Sequence, residues 1–241
     1  MSPKITLTTL VASLIASIAT MAAAPPQRFG VNISGPESTG SNLPGTYAYH
    51  YVYPTDDELD YYKAHGITLI RLPFRWERVQ ESLYAPLETD EMARMDDFLD
   101  KLETRGMTTI LDMHNYAEYY GDKIGSTAVP RAAYKDVWQK LAAHFKSRTC
   151  IYAYGLMNEP NGLGSYTWRD SVQEAINGVR LEDTEHYVLI PGEGWSAGHS
   201  WVALNSDLIN VTDAANKFMF EAHQYFDYDN TGTYNSDYDG E

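Results

Sequence analysis

Short runs of apolar and β-branched residues recur along this 241-residue chain, and longer, more polar segments separate them. Six of the runs are typical of strands, with centres at Val31, Ile70, Ile110, Tyr154, Leu189 and Phe220. Neighbouring centres lie about 30 to 45 residues apart, which leaves room for one helix in each interval. The pattern therefore predicts a succession of six βα units.

Helix signals occupy these intervals. Thr55 and Glu58 form the pattern of a capping box for a helix that runs to His65, and Gly66 follows as its terminator. Pro130 is placed to open a later helix. Apolar residues that share one helical face predict helices over residues 92–102, which Gly106 ends, 134–145 and 168–179, and a further helix is predicted over 201–209.

Strands that alternate with helices predict an α/β fold with a parallel sheet. The sequence contains no GxGxxG or P-loop motif, so a (β/α)8 barrel of the TIM type is favoured over a dinucleotide-binding fold. A complete barrel of this kind has about 250 residues. We therefore expect an incomplete barrel in this chain, with about six βα units.

The first residues are typical of a secretory leader. Lys4 supplies a positive charge, residues 5–21 are mostly apolar, and Ala22-Ala23-Ala24 offers a small-residue cleavage site. A membrane anchor is the alternative, but threonines and serines interrupt the run and it is short for a bilayer span. We expect residues 1–24 to be a signal peptide, residues 25–241 to form one partial barrel domain, and the protein to be secreted and extracellular.

Composition narrows the possible partners. The formal net charge of −15 and a pI of about 4.8 disfavour nucleic acids and anionic membranes, because both would be repelled. A neutral polymer would not be repelled, and 19 tyrosines and 5 tryptophans supply rings that suit sugar faces as well as core packing. The single cysteine, Cys150, allows no disulfide within the chain. We expect a monomer if the domain is complete.

Polar side chains cluster where the predicted strands end. The carboxyl ends of parallel barrel strands line the active site in this fold. Asn158-Glu159-Pro160, which places an acid beside an amide, closes one strand-like run and is a glycosidase signature. The polar residues at the other strand ends are Arg71; Asp112, His114 and Asn115; Glu193 and Trp195; and Glu221, His223 and Tyr225.

Five segments around these positions carry a specific resemblance. They are 71–78 (RLPFRWER), 111–116 (LDMHNY), 155–160 (GLMNEP), 191–195 (PGEGW) and 223–227 (HQYFD). In type and order they resemble glycoside hydrolase family 5, in particular its endoglucanase (cellulase) branch, from about Phe29 to the end of the chain. The resemblance implies a glycoside hydrolase catalytic domain that hydrolyses β-1,4-glucan, with β-mannan as a neighbouring substrate.

The resemblance also implies roles for individual residues. Glu159 would be the general acid/base of a retaining mechanism, and Asn158 would bind the sugar 2-hydroxyl. Arg71 and Tyr225 would orient an ionised nucleophilic glutamate. The other residues expected to bind substrate or support the site are His114, Asn115, Trp195, which would stack on a sugar ring, and His223.

Several of these residues also have a structural interpretation. Arg71 could anchor an ion pair inside the barrel, which would require a buried acceptor. Asp112 is expected to be a structural hydrogen-bonding group, and Trp76 and Trp201 to pack as core or helix-face residues. The histidines alone would more often be core residues, and their place at two strand ends favours the site.

The nucleophile is not found in the sequence. The family places it at the end of the seventh strand, and none of the later glutamates, Glu193, Glu221 and Glu241, occupies that position. We therefore expect a fragment of an endoglucanase, with a non-catalytic carbohydrate-binding remnant as the alternative. No cofactor or metal is implied, because the loop that begins at Asp227 has Tyr238 where a calcium loop requires glutamate.

Overall fold

The computed structural model describes residues 28–234, so the predicted signal peptide and Glu241 lie outside the described residues. Six parallel strands form one sheet in the order β1-β2-β3-β6-β7-β8. Each predicted strand centre falls inside one of them, and they are β1 (Gly30–Asn32), β2 (Leu69–Phe74), β3 (Thr108–Met113), β6 (Ile151–Gly155), β7 (Tyr187–Pro191) and β8 (Phe218–Glu221). The predicted incomplete (β/α)8 barrel is confirmed, with six parallel strands of which the first five are followed by helices within the described residues.

The sheet register brings the carboxyl ends of the strands to one edge. Asp112 of β3 lies opposite Pro73 of β2 and Gly155 of β6, and Glu221 of β8 lies opposite Pro191 of β7. Side chains that follow these positions therefore emerge from the same rim. In the described part of the chain, β1 and β8 each pair with one neighbour only and form the margins of the sheet.

The helices begin and end largely where the sequence predicts. Helix α1 (Asp56–Ala64) carries the predicted capping box between Thr55 and Glu58, and α3 (Thr89–Arg105) ends at Gly106, whose φ of 63° lies in the left-handed region. Helix α4 (Arg131–Phe145) follows Pro130, and α5 is Trp168–Arg180. The helix predicted over 201–209 is shorter, because α6 (Trp201–Asn205) gives way to a 3₁₀ segment, Ser206–Asn210.

Two small elements were not predicted. Helix α2 (Trp76–Val79) directly follows β2, and an antiparallel pair, β4 (Glu118–Tyr119) and β5 (Asp122–Lys123), follows β3. Both lie at the rim where the strands end.

The core lies between the sheet and the helices packed outside it. The predicted apolar faces of α3, α4 and α5 are buried, among them Phe98, Trp138 and Val172. Trp76 is fully buried against Tyr119 and Tyr134, with ring centroids 4.7 and 5.7 Å away, and Trp201 is partly buried against the core. Across residues 28–234, none of the helices combines the length and apolar character that a bilayer span requires.

Candidate active site

Arg71, the third of the six residues of β2, is the centre of a polar cluster at the rim. Its Nη1 donates to Oδ1 of Asn32 at 2.9 Å, and its Nη2 donates to Oδ1 of Asn158 at 2.9 Å. The same Nη2 makes ion pairs with Asp112 at 3.0 Å and Glu221 at 3.2 Å. Although burial opposes the charge, these carboxylates raise the pKa of Arg71. The buried acceptors that an interior arginine requires are therefore present.

Glu159 lies just beyond β6, in the loop that follows this strand. Its Oε1 is 2.8 Å from Nδ1 of His223 and accepts a hydrogen bond from the Tyr225 hydroxyl at 2.9 Å. Burial alone would raise the pKa of Glu159, but these two partners outweigh it and hold the pKa below its ordinary value. The backbone at Glu159 has a φ of 45°, in the left-handed region that costs free energy for a residue with a side chain.

Tyr225 contacts the predicted acid/base. Its hydroxyl donates to Glu159, and the role that the resemblance implies for Tyr225, the orientation of a separate nucleophilic glutamate, stays a prediction. Burial, and then the hydrogen bond to this carboxylate, raise the pKa of Tyr225 to about 12. Tyr225 is therefore a neutral donor to Glu159 at ordinary pH.

His223 joins two carboxylates. Its Nδ1 faces Glu159, and its Nε2 lies 3.1 Å from Oε1 of Glu221, the last residue of β8. Burial disfavours the imidazolium, but the hydrogen bonds to Glu159 and Glu221 prevail and raise the pKa of His223 to about 9. His223 is therefore a cation at neutral pH.

His114 lies on the other side of Arg71. Its Nδ1 is 2.8 Å from Oδ2 of Asp112, and its Nε2 is 3.2 Å from the hydroxyl of Tyr116. Asp112 is fully buried and joins His114 to Arg71, so the structural role predicted for it is confirmed. Burial and the charge of Glu159 raise the pKa of Tyr116. The cluster thus runs from Tyr116 through Arg71 to Tyr225.

Trp195 lies beside Glu159 at a cleft of about 520 Å³ that Tyr225 also lines. The indole is 54% exposed, and its backbone has a φ of 56°. The Trp195 N–H donates to the carbonyl oxygen of Pro160 at 3.1 Å, which attaches this loop to the one that carries Glu159. An exposed indole is thus fixed next to a carboxylate at the mouth of the cleft.

Asn115 lies outside the cluster, in a position that supports the rim. It is buried, its Oδ1 accepts from the Trp76 N–H at 2.8 Å, and its Nδ2 donates to Glu77 at 2.7 Å and to the Glu118 carbonyl oxygen at 3.1 Å. These contacts use the amide to join α2 to the loop after β3. Asn115 therefore supports the rim and does not present its side chain to the cleft.

In the segment that begins at Asp227, the acidic side chains accept hydrogen bonds from residues of the same segment. Oδ2 of Asp227 accepts from the Thr231 hydroxyl at 3.3 Å and from the Tyr234 N–H at 3.2 Å, while Oδ1 of Asp229 accepts from the Thr231 hydroxyl at 2.7 Å. Residues 28–234 contain no group of three or more His, Cys, Asp or Glu side chains placed to hold a metal ion.

Asn32, Tyr116 and Glu221 belong to the cluster but were not predicted as site residues. Asn32 is exposed at the sheet margin and binds Arg71. Glu221 was noted as a polar residue at a strand end and was not accepted as the nucleophile, and it binds Arg71 and His223. The spacing Glu221-x-His223 at a strand end was the available signal for Glu221.

Comparisons with known proteins agree with this geometry. Residues 27–241 match the family model described as Cellulase (glycosyl hydrolase family 5). A relative from Neosartorya fischeri, named probable endo-beta-1,4-glucanase B, is 32% identical over 229 residues, which cover 91% of this chain and 68% of the relative.

Solved structures give the same result. Pseudomonas stutzeri endoglucanase Cel5A, in complex with cellobiose, has a TM-score of 0.82 and 41% identity over 85% of this chain and 62% of its own. XacCel5A, in complex with cellopentaose, has a TM-score of 0.81 and 38% identity over 85% of this chain and 67% of its own. This chain thus spans roughly two thirds, or less, of the proteins that it matches. It belongs to glycosyl hydrolase family 5, the cellulase family.

Proposed function

We propose that this site hydrolyses β-1,4-glucan with retention of configuration and that Glu159 is its general acid/base. The observation that carries the proposal is the position of the Glu159 carboxylate, at the mouth of a cleft beside the exposed Trp195 indole and hydrogen-bonded to His223 and Tyr225. The endoglucanases that this chain resembles were solved with cellobiose and cellopentaose, which favours a glucan over other neutral polymers.

Two neighbours of Glu159 have roles in this proposal. Arg71 donates to Oδ1 of Asn158, which fixes the amide so that Nδ2 remains as the donor for a sugar 2-hydroxyl. The Trp195 indole offers an apolar face for a pyranose ring. Glu159 would protonate the glycosidic oxygen in the first step and take a proton from water in the second.

Retaining hydrolysis also needs a nucleophilic carboxylate, about 5 to 5.5 Å from the acid/base. Asp112 and Glu221 are not proposed for this role, because both are bound to Arg71 and Oε2 of Glu221 is buried. Turnover by this chain would require another carboxylate. A carbohydrate-binding protein without turnover therefore stays as the second candidate function.

Hydrolysis and binding are measured on the same preparations. We expect wild-type protein to bind cello-oligosaccharides in calorimetry, and release of reducing sugar from carboxymethylcellulose, with β-mannan as the comparison substrate, decides whether the site turns over. Glu159→Gln should abolish release and retain binding, whereas Glu185→Gln, an exposed residue paired with Lys217, should change neither. Binding without release supports the second candidate, and failure to bind any glucan contradicts both.

We also propose that the protein is secreted. The support is the leader-like sequence of residues 1–24, with Lys4 and the Ala22-Ala23-Ala24 site. Expression of the full chain with its leader in a secreting host should deliver protein to the medium with residues 1–24 removed. Retention of the leader on N-terminal sequencing would contradict this assignment.

A further inference from the structure

The ring of His223 lies between two carboxylates. Glu159 contacts Nδ1 at 2.8 Å and Glu221 contacts Nε2 at 3.1 Å, and the side chains of all three are mostly buried, with 13 to 21% of their surface exposed. An imidazole that meets an acceptor at both ring nitrogens needs a proton on each to satisfy both. The geometry therefore fits an imidazolium.

The charges around His223 come from several elements. β2 contributes Arg71, which is bound to Glu221 at 3.2 Å, and β3 contributes Asp112 and His114 beyond it. The loop after β6 contributes Glu159, and the segment after β8 contributes the neutral Tyr225. The Glu221 carboxylate therefore contacts two cations, Arg71 and His223. The Glu159 carboxylate directly contacts His223.

The backbone around Glu221 is held in place from the loop after β7, which also carries Glu193 and His199. The Ser196 hydroxyl donates to the Glu221 carbonyl oxygen and accepts from the Gly192 N–H at 3.1 Å. The His223 N–H donates to the Ser196 carbonyl oxygen at 2.8 Å, and the Gly198 N–H donates to the His223 carbonyl oxygen at 2.8 Å. These bonds fix the strand positions of both side chains, so their mutual contact does not depend on side-chain packing alone.

We propose that Glu221 is a positioning residue that holds His223 as an imidazolium with its Nδ1–H directed at Glu159. Oε1 of Glu221 accepts from both Arg71 and His223, and its Oε2 is buried without a hydrogen-bond partner. A buried carboxylate oxygen without a hydrogen bond lowers the stability of the fold. The presence of Glu221 despite this cost is explained if its charge stabilises the imidazolium of His223.

The consequence for catalysis rests on the proposed function. The pair Glu159–His223 holds one proton, and this proton is on the ring in the free protein, because His223 has a pKa of about 9 and Glu159 has a lowered pKa. In the acid step, the Nδ1–H bond breaks and an O–H bond forms on Glu159, which then protonates the leaving oxygen. Water returns the proton to the pair in the second step. The charge of Glu221 sets the pH up to which the pair Glu159–His223 retains this proton.

The first test needs no activity. The full chain is labelled with ¹⁵N-histidine, and the His223 resonances are assigned from their loss in His223→Gln. At pH 7.5 we expect both ring nitrogens of His223 to be protonated, with a pKa of about 9 on titration. A neutral ring at pH 7.5, or titration near the ordinary value of 6.5, overturns the proposal.

The second test isolates Glu221. In Glu221→Gln, which retains an acceptor without the charge, we expect the pKa of His223 to fall by about 1 or more, since an opposite charge within 4 to 6 Å has an effect of this size. Glu193→Gln, in the adjacent loop, should leave it unchanged. If Glu221→Gln fails to fold by circular dichroism, Glu221→Asp is measured instead and a smaller fall is expected, because the shorter side chain moves the charge away from Nε2 without removing it. An unaltered pKa in a folded variant overturns the proposal.

Activity provides a separate readout. If wild-type protein hydrolyses carboxymethylcellulose, the alkaline limb of its pH profile should move to lower pH in Glu221→Gln by the same amount as the pKa of His223. If wild-type protein is inactive, the proposed function fails while the histidine titration still decides the role of Glu221. An alkaline limb that stays in place while the pKa of His223 falls would contradict the proton-storage role.

Discussion

Tyr225 donates a hydrogen bond to Oε1 of Glu159 at 2.9 Å, although the two residues lie 66 positions apart in the chain. Tyr225→Phe removes this donor from a partly buried carboxylate, so we expect the pKa of Glu159 to rise, as measured by carboxyl ¹³C NMR. If the site is active, turnover should fall about 10-fold or more, the cost of losing a hydrogen bond to a charged group. Tyr228→Phe, at a 92% exposed position, is the control and should have neither effect.

Stability should depend on pH through His223. Its pKa is about 9 when folded and near 6.5 when unfolded, so its contribution is fully present below pH 6.5 and is lost as the pH rises through 9. The shift corresponds to about 3 kcal/mol. Urea denaturation between pH 6 and pH 10 should show this loss, and His223→Gln should remove most of it. His65→Gln, at an exposed helix end, should retain it; a flat wild-type profile would contradict the prediction.

Arg71 should be the most costly charged residue of the cluster to remove. Arg71→Met takes the guanidinium away from both Asp112 and Glu221, and breaking a buried pair in this way costs about 3 to 5 kcal/mol. Arg169→Met, which removes a surface pair with Asp170, should cost at most about 1 kcal/mol. The free energy of unfolding in urea measures both, and equal costs would show that the ion pairs of Arg71 are not stabilising.

Trp195 should contribute to glucan binding and little to stability, because its indole is 54% exposed. Trp195→Ala is expected to weaken binding of cello-oligosaccharides about 10-fold, corresponding to about 1.4 kcal/mol, in isothermal titration calorimetry. Tyr84→Ala is a matched control, because Tyr84 is 50% exposed and also has a left-handed backbone, with a φ of 67°. Unchanged affinity in the tryptophan variant would remove Trp195 from the substrate site.

Local patterns were sufficient to predict most of the fold. The runs around Ile70 and Ile110 identified strands because buried parallel strands are apolar over several consecutive residues. The capping box at Thr55 and the left-handed stop at Gly106 depend on neighbouring residues only, so both were readable from the sequence. The β4–β5 pair could not be predicted, because two-residue strands are too short to show an alternation of apolar and polar residues.

The contacts of the site were harder to predict than its members. Arg71 and Asn32 meet because β1 and β2 pair with Asn32 opposite Arg71, and sheet register is not encoded by the motif around either residue. Asn115 lies next to His114 but points to α2, since adjacent positions in the chain face different neighbours. The partner of Tyr225 likewise depends on how the segment after β8 approaches the loop after β6.

The left-handed backbone at Glu159 lowers the stability of the fold at a position whose side chain the proposed function requires. Asparagine and glycine adopt a φ near 45° at lower cost than glutamate does, and such backbone strain amounts to about 1 to 3 kcal/mol. A chain selected only for thermal resistance would therefore tend to exchange this glutamate for a residue that accepts the turn. A glutamate at residue 159 therefore carries a conformational cost that its hydrogen bonds to His223 and Tyr225 help to offset.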